Sequence, residues 1–184
     1  LEKSNYDLVI TYGDSNTTYA AARAAKICGK ELIHIESGLR SFNKEQPEEF
    51  NRINVDKMSD VNFPPTELAK KNLNAEKIKN NVFVVGNTIV DVCEKLKKEI
   101  KKSEILNELN IEEKNYILTT VHRQENVNNP KKLSSIIHSL KLLKEKIIFP
   151  VHPRTRKMMQ KYNYKFPKNV ISLEPLGFID FISL

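Results

Sequence analysis

Cysteine is scarce in this sequence, which contains only Cys28 and Cys93. The two residues lie far apart in helix-like segments and lack the spacing of metal ligands, so we expect buried free thiols and no metal site. Long hydrophobic runs are also missing, and no basic segment followed by an apolar one opens the chain. We therefore expect a cytoplasmic protein that does not contact a membrane.

Several motifs of nucleotide and hydrolase chemistry are absent as well. The sequence contains no GxGxxG, GxxxxGK[ST], HExxH or CxxC pattern and no GxSxG elbow. These absences argue against a dinucleotide enzyme, a P-loop NTPase and a zinc hydrolase.

The chain has a basic balance, with 30 lysine and arginine residues against 23 acidic ones and a formal charge of +7. Many lysines cluster in EKLKKEIKKSE and KLLKEKIIF, which is typical of a solvated helix face. Because no nucleic-acid motif accompanies them, we do not expect nucleic-acid binding. A positive charge would also attract a phosphorylated small molecule.

Apolar strand-like runs alternate with helix-length segments, a pattern that predicts an α/β protein with parallel sheets. We predict strands at Asp7–Tyr12, Leu32–Ile35, Val61–Phe63, Val82–Val85, Tyr116–Val121, Ile147–Val151 and Val170–Leu173. We predict helices near Thr17–Cys28, Pro47–Met58, Thr66–Asn72, Thr88–Lys102, Pro130–Glu145 and Arg154–Tyr162.

The lysine-rich stretch divides this pattern into two parts. We expect a first Rossmann-like domain at 1–90, a linker helix region at 91–114 and a second Rossmann-like domain at 115–184. The second part offers only three strands, and both ends of the chain lie close to apolar segments. We therefore expect both domains to be incomplete in this chain.

Acidic residues follow two neighbouring strands of the first part. Asp14 comes directly after YDLVITYG, and Glu36 comes directly after ELIHI. Because parallel strands open onto one edge of a sheet, the two acids should share a crevice with Glu48 at the start of the Pro47 helix. Such a group of acids suits proton transfer near neutral pH. The alternative is structural, since Asp14 or Ser15 would also serve as an ordinary helix cap.

Basic residues follow strands of the second part. His122 and Arg123 end YILTTVHR, and His152 ends IIFPVH. A histidine at a strand end is accessible to a ligand, so His122 is the first candidate and His152 the second. His138 lies in an apolar helix and is expected to be structural. The two parts would then present their polar strand ends across a cleft.

Seven motifs occur together in one order: DLVITYGDSNTTYAAARAA, IHIESGLRSF, PEEFNR, FPPTELAKKNL, VVGNTIVD, TTVHRQEN and FPVHPRT. With them the sequence resembles the non-hydrolysing UDP-N-acetylglucosamine 2-epimerases over nearly all of its length. The resemblance implies a glycosyltransferase-B-like fold of two Rossmann-like domains. It also implies interconversion of UDP-N-acetylglucosamine and UDP-N-acetylmannosamine for polysaccharide biosynthesis, through elimination and re-addition of UDP, without a cofactor or a metal. Family members are generally homodimers when full length.

The resemblance also assigns roles to individual residues. Asp14, Glu36, Glu48 and His122 match the catalytic positions, with His122 assisting the leaving diphosphate. Arg123 and His152 match positions that contact UDP-sugar, and they, with Glu48, also match a second, regulatory UDP-sugar site in bacterial relatives. For Arg40 two roles are open: it contacts substrate or, together with Arg52, it holds the carboxylates in place. The remaining loop acids, Glu45 and Glu49, are expected to be loop or helix-cap residues.

The sequence also departs from the family pattern. The glycine–threonine–arginine segment and the serine–glycine–glycine motif of the family are absent, so the resemblance implies a chain truncated at both ends. Asn16 and Gln124 stand where many members have threonine and arginine. Three alternatives stay open: an inactive remnant of the enzyme, a hydrolysing epimerase and a glycosyltransferase of the same architecture.

Overall fold

Two units of α/β structure make up the chain, and they divide between Val92 and Cys93. The computed structural model describes residues 6–184. No helix among them is both long enough and apolar enough to cross a membrane.

The first unit has a parallel sheet of three strands in the order β1, β2, β3. Its elements are β1 (Leu8–Tyr12), α1 (Asn16–Ile27), β2 (Glu31–Ile35), α2 (Pro47–Met58), β3 (Val61–Phe63), α3 (Glu67–Ala75) and α4 (Thr88–Lys95), which runs across the division. Tyr12 is in register with Ile35, and Ile35 with Phe63. The loops after the three strands therefore leave the sheet at one edge, where α/β proteins place their sites.

Helices α1 and α2 pack on one face of this sheet. The core between them consists of four buried residues, Ala22, Ala25, Leu32 and Val55. Small alanine side chains on α1 allow close packing against β2 and α2. Asn51 and Arg52 of α2 contact Asp14, so this helix lies beside the loop after β1. The sheet thereby sets the position of both loops that carry the predicted acids.

The second unit repeats this plan with a parallel sheet in the order β4, β5, β6. Its elements are α5 (Lys97–Ile100), α6 (Ile105–Glu108), β4 (Tyr116–Leu118), α7 (Gln124–Val127), α8 (Pro130–Leu142), β5 (Lys146–Pro150), α9 (Pro153–Lys161), β6 (Val170–Leu173) and α10 (Phe178–Ser183). The central strand β5 is buried from Ile147 to Pro150, and its Ile147 and Phe149 form one apolar cluster with Leu140 and Val151. A second cluster joins the helices α7, α8 and α9 through Val127, Leu133 and Met159.

One predicted strand is reduced to a single bridge. In the segment Val82–Val85, only Val82 forms a β-bridge, to Asn62. The N–H of Val85 still donates to the carbonyl of Pro64, at 3.2 Å. Because Pro64 directly follows β3 and has no N–H to donate, the pairing cannot extend into a regular ladder.

The predicted helix Thr88–Lys102 is also divided, into α4 and α5. No residue of either helix is buried. Packing therefore adds little stability to a continuous helix over this segment, and α4 ends at Lys95 within the lysine-rich part. The predicted strand Tyr116–Val121 ends earlier, at Leu118, although Thr119 still donates to the carbonyl of Ile148 at 3.0 Å.

Candidate active site

Asp14 lies in the turn after β1, one residue before Ser15, which is the N-cap of α1. Gly13 has a φ of 72°, and its N–H donates to the carbonyl of Ile35 at 3.1 Å, which ties the turn to the end of β2. Ser15 caps α1, because its hydroxyl accepts from the N–H of Thr18 at 3.1 Å. Ser15 therefore serves as the helix cap, and the carboxylate of Asp14 is available for other contacts.

Arg52 of α2 holds that carboxylate. Its Nη2 lies 2.5 Å from Oδ2 of Asp14, and its Nη1 lies 3.2 Å from Oε2 of Glu49. The neighbouring Asn51 donates to the carbonyl of Asp14 at 2.8 Å and to Oδ1 of Asn16 at 3.0 Å. Arg52 thus holds the carboxylate of Asp14, a predicted catalytic acid, together with that of Glu49. Asn16, a departure from the family pattern, takes part in the same link.

Glu36 lies beside this turn. The hydroxyl of Tyr12 donates to Oε1 of Glu36 at 3.0 Å. The other oxygen, Oε2, is 3.8 Å from the point that a Cβ on Gly13 would occupy. Glu36 also has a φ of 66°, a left-handed conformation that is uncommon for a residue with a side chain. Backbone strain of this kind clusters at functional positions. The carboxylate thus lies over the residue that precedes Asp14.

The two glutamates at the start of α2 differ in exposure. Glu48 is exposed, so a ligand can reach its carboxylate. Glu49 is buried, and it accepts from the N–H and hydroxyl of Ser41 at 2.8 and 3.0 Å and from the N–H of Phe42 at 3.0 Å. Burial raises the pKa of Glu49, but these bonds and Arg52 together outweigh it and hold the pKa below its ordinary value. Glu49 therefore anchors the loop before α2.

Arg40 lies in the interior of the unit. Its side chain is 1% exposed, and its Nη2 is 2.7 Å from Oδ2 of Asp56. Its Nε and Nη2 also donate to the two oxygens of Glu76, at 2.6 and 2.8 Å. The contact of Arg40 with substrate stays a prediction, and in this structure two carboxylates hold its guanidinium. The other role, holding carboxylates, is the one it fills.

A buried histidine and aspartate continue this network toward the site, and sequence reasoning missed both. His34 Nδ1 is 2.6 Å from Oδ1 of Asp56, and His34 Nε2 is 2.9 Å from the carbonyl of Gly13. Asp56 Oδ2 accepts from the N–H of Gly38 at 3.0 Å. A Cβ on Gly38 would lie 2.3 Å from the carbonyl oxygen of Ala69, so only glycine fits there. The network therefore fixes the backbone on both sides of Glu36.

In the second unit, two histidine rings lie together at strand ends. The rings of His122 and His152 are stacked, with centroids 5.2 Å apart and an interplanar angle of 24°. His152 caps α9, because its Nδ1 accepts from the N–H of Arg154 at 3.1 Å. The guanidinium of Arg154 donates to the carbonyl of His122 at 3.1 Å. The loop after β4 is thus tied to the start of α9.

These basic groups change the chemistry of His122. Partial desolvation lowers its pKa, and the positive charges of His152, Arg154 and Arg123 lower it further. His122 is exposed and so is Arg123, at the start of α7. A neutral imidazole surrounded by cations can donate one hydrogen bond to an anion that the cations attract.

No group of three or more histidine, cysteine, aspartate or glutamate side chains within residues 6–184 is arranged to hold a metal ion.

Comparison with known proteins decides the family. The family model described as UDP-N-acetylglucosamine 2-epimerase matches residues 1–184. The chain belongs to this epimerase family. It is 44% identical, over all of its length, to a UDP-N-acetylglucosamine 2-epimerase homolog of Methanococcus maripaludis, and 39% identical to a UDP-N-acetylglucosamine 2-epimerase of Methanocaldococcus jannaschii. It covers 53% and 54% of these proteins. The chain thus spans about half the length of the curated epimerases it matches.

Solved epimerase structures have the same fold. The M. jannaschii UDP-GlcNAc 2-epimerase, in complex with UDP-GlcNAc and UDP, superposes with a TM-score of 0.88 at 38% identity and covers 98% of this chain and 52% of its own. The enzyme of Rickettsia bellii gives a TM-score of 0.84 at 33% identity and covers 99% of this chain and 49% of its own. The predicted glycosyltransferase-B-like α/β class is therefore confirmed.

Proposed function

We propose that this chain interconverts UDP-N-acetylglucosamine and UDP-N-acetylmannosamine. The observation that carries the proposal is the epimerase family match along all 184 residues. The acidic cluster at the strand ends of the first unit supports it, because inversion at a sugar carbon requires groups that remove and return a proton.

The proposed reaction is an elimination followed by an addition. A base removes the proton at C2 while the bond from C1 to the diphosphate oxygen breaks, which gives a glycal and UDP. UDP then adds back at C1, and an acid delivers a proton to the opposite face of C2. We propose that Asp14, Glu36 and Glu48 carry these proton transfers. Arg52 and Tyr12 support this role, because they hold the carboxylates of Asp14 and Glu36.

The departing diphosphate needs positive charge and hydrogen-bond donors. We propose that His122, Arg123 and His152 supply them. The lowered pKa of His122 supports this assignment, since its second cause, after burial, is the surrounding positive charge that would also attract a diphosphate. The proposal requires neither a metal nor a redox cofactor. From the family resemblance we further propose a homodimer, which light scattering on the purified protein would test.

A second substrate has support from one relative. This relative is the UDP-2,3-diacetamido-2,3-dideoxy-D-glucuronate 2-epimerase of Pseudomonas aeruginosa. It is 35% identical over 96% of this chain, which covers 50% of the relative's length. The same proton transfer at C2 would serve either sugar. Parallel assays with both nucleotide sugars would choose between them.

The test is proton NMR of the purified chain with UDP-N-acetylglucosamine in deuterium oxide. We expect the signal of the mannosamine epimer to appear, with deuterium at C2 of both sugars. Glu36→Gln should slow this exchange by about 100-fold or more, because it removes an acid–base group. Glu45→Gln is the matched control, since Glu45 is an exposed acid of the same loop.

Other products would point to the alternatives. Free N-acetylmannosamine would indicate a hydrolysing epimerase, and sugar transfer to an acceptor would indicate a glycosyltransferase. Binding of UDP in calorimetry without any exchange at C2 would indicate an inactive remnant and would contradict the proposed activity.

A further inference from the structure

Tyr12 ends β1 with its hydroxyl between two polar partners. The hydroxyl lies 3.0 Å from Oε1 of Glu36 and 2.8 Å from Oγ1 of Thr88, the first residue of α4. Both partners are far away in sequence, by 24 and 76 residues. The tertiary fold alone brings the three groups together.

Core packing does not account for a tyrosine at this position. Leu8, Ile10 and Tyr12 lie on the same face of β1 and are 41%, 59% and 50% exposed. Leucine and isoleucine show that this face accepts an aliphatic side chain. What distinguishes Tyr12 from them is the hydroxyl and the two contacts that it makes.

The chemistry of the three groups fixes the direction of the hydrogen bonds. An ionised carboxylate only accepts, so the single proton of the Tyr12 hydroxyl goes to Glu36. The Tyr12 oxygen can then accept from the hydroxyl of Thr88. The result is a chain in which Thr88 donates to Tyr12 and Tyr12 donates to Glu36, and such chains polarise their members.

The position of Glu36 depends on this contact. Its backbone has a φ of 66°, and its Oε2 lies over Gly13, next to Asp14. Other rotamers would take the carboxylate away from that turn, and the hydrogen bond from Tyr12 opposes them. A group that transfers a proton must be held within a fraction of an ångström of its reacting geometry.

We propose that Tyr12 is a positioning residue, which holds the carboxylate of Glu36 over the turn of Asp14 and is itself oriented by Thr88. This inference rests on the proposed function, because it assigns Tyr12 to the proton transfer at C2. Tyr12 acts through Glu36 and does not take the proton.

The decisive variant is Tyr12→Phe, which removes only the hydroxyl. We expect kcat and the exchange rate at C2 to fall about tenfold, the effect of losing one hydrogen bond to a charged group, while KM and the affinity for UDP stay unchanged. Tyr6→Phe is the matched control, because Tyr6 is 70% exposed and precedes the same strand. A general loss of folding would lower the melting temperature and change KM as well.

Thr88 provides the second arm of the test. Thr88→Val should lower the exchange rate by a smaller factor than Tyr12→Phe, since the bond from Tyr12 to Glu36 remains. Thr88→Ser keeps the hydroxyl and should restore the rate. An unaltered exchange rate in Tyr12→Phe, or an equal loss in Tyr6→Phe, would overturn the positioning role.

A crystal structure of Tyr12→Phe separates this inference from the proposed function. We expect the Glu36 carboxylate to leave its place over Gly13 or to occupy several conformers. If the unaltered chain exchanges no proton at C2, the proposed function fails, and this structure still decides the positioning role. A Glu36 carboxylate that stays in place in Tyr12→Phe would overturn it.

Discussion

The two units end their strands with opposite charge and hold those charges in different ways. In the first unit, side chains hold side chains: Arg52 pairs with Asp14 and Glu49, and the buried Arg40 pairs with Asp56. In the second unit, Arg154 and Thr155 donate to the backbone carbonyls of the strand-end loop, and the His122 side chain is exposed.

This difference follows the chemistry that each unit is proposed to perform. Proton transfer requires carboxylates in a fixed geometry, which ion pairs and hydrogen bonds provide. Holding a diphosphate requires positive charge that solvent and ligand can reach. Four changes would test the contrast.

The first change removes the buried cation of the first unit. Arg40→Ala removes the guanidinium that pairs with the carboxylates of Asp56 and Glu76, so the free energy of unfolding should fall by about 3–5 kcal/mol. Denaturant titration measures it. Lys26→Ala is the control, because the Lys26–Asp60 pair is 38% and 42% exposed and should contribute about 0–1 kcal/mol. Equal losses in the two variants would contradict the role of buried pairs.

The second change weakens the contact between α2 and Asp14. Arg52→Lys keeps the charge but cannot reach two carboxylates in the geometry of a guanidinium. We expect the exchange rate at C2 to fall about tenfold, as for the loss of one charged hydrogen bond. Arg23→Lys, at an exposed position of α1, should keep the rate. Full activity in Arg52→Lys would show that Asp14 needs no such support.

The third change concerns acid stability. The pKa of Glu49 is lower in the folded chain than its ordinary value of 4.5, because four hydrogen bonds together outweigh burial. The stabilisation it contributes is therefore present above pH 4.5 and is lost as the pH falls through the folded pKa. Glu49→Gln should flatten the fall of unfolding free energy below that pH. An acid slope equal to that of the unaltered chain would contradict this assignment.

The fourth change tests the second unit with a ligand. Burial and neighbouring cations lower the pKa of His122, and a bound diphosphate would offset those cations, so UDP should raise this pKa. By linkage, UDP should then bind more tightly as the pH falls toward the pKa of the free protein. Proton NMR titration of the His122 ring, assigned with His122→Asn, measures the shift. Uridine lacks the diphosphate and serves as the control; an equal shift with uridine would contradict the role of charge.

The sequence predicts the positions of the strand-end residues well, for a physical reason. Asp14 and Glu36 each follow an apolar strand, and parallel pairing brings such ends to one edge. Exposure within α2 could not be predicted in the same way. Glu48 and Glu49 are neighbours in the chain, but successive helical residues point about 100° apart, and only packing decides which one is buried.

Sequence patterns could not predict the buried network around Asp56. Asp56 contacts His34 across 22 residues, Gly38 across 18 residues and Arg40 in the interior. No local period links these positions, so their contacts become visible only once the sheet and α2 are in place. For the same reason, the sequence leaves both roles of Arg40 open, although this residue lies in a charged loop.

The rate at which deuterium enters C2 of UDP-N-acetylglucosamine in Glu36→Gln measures whether the first unit carries out the proton transfer. The division of roles between the two units predicts that this rate falls by about 100-fold or more while UDP binds as tightly as to the unaltered chain. Exchange at the unaltered rate, or a parallel loss of UDP binding, would contradict the claim that the first unit carries out the proton transfer.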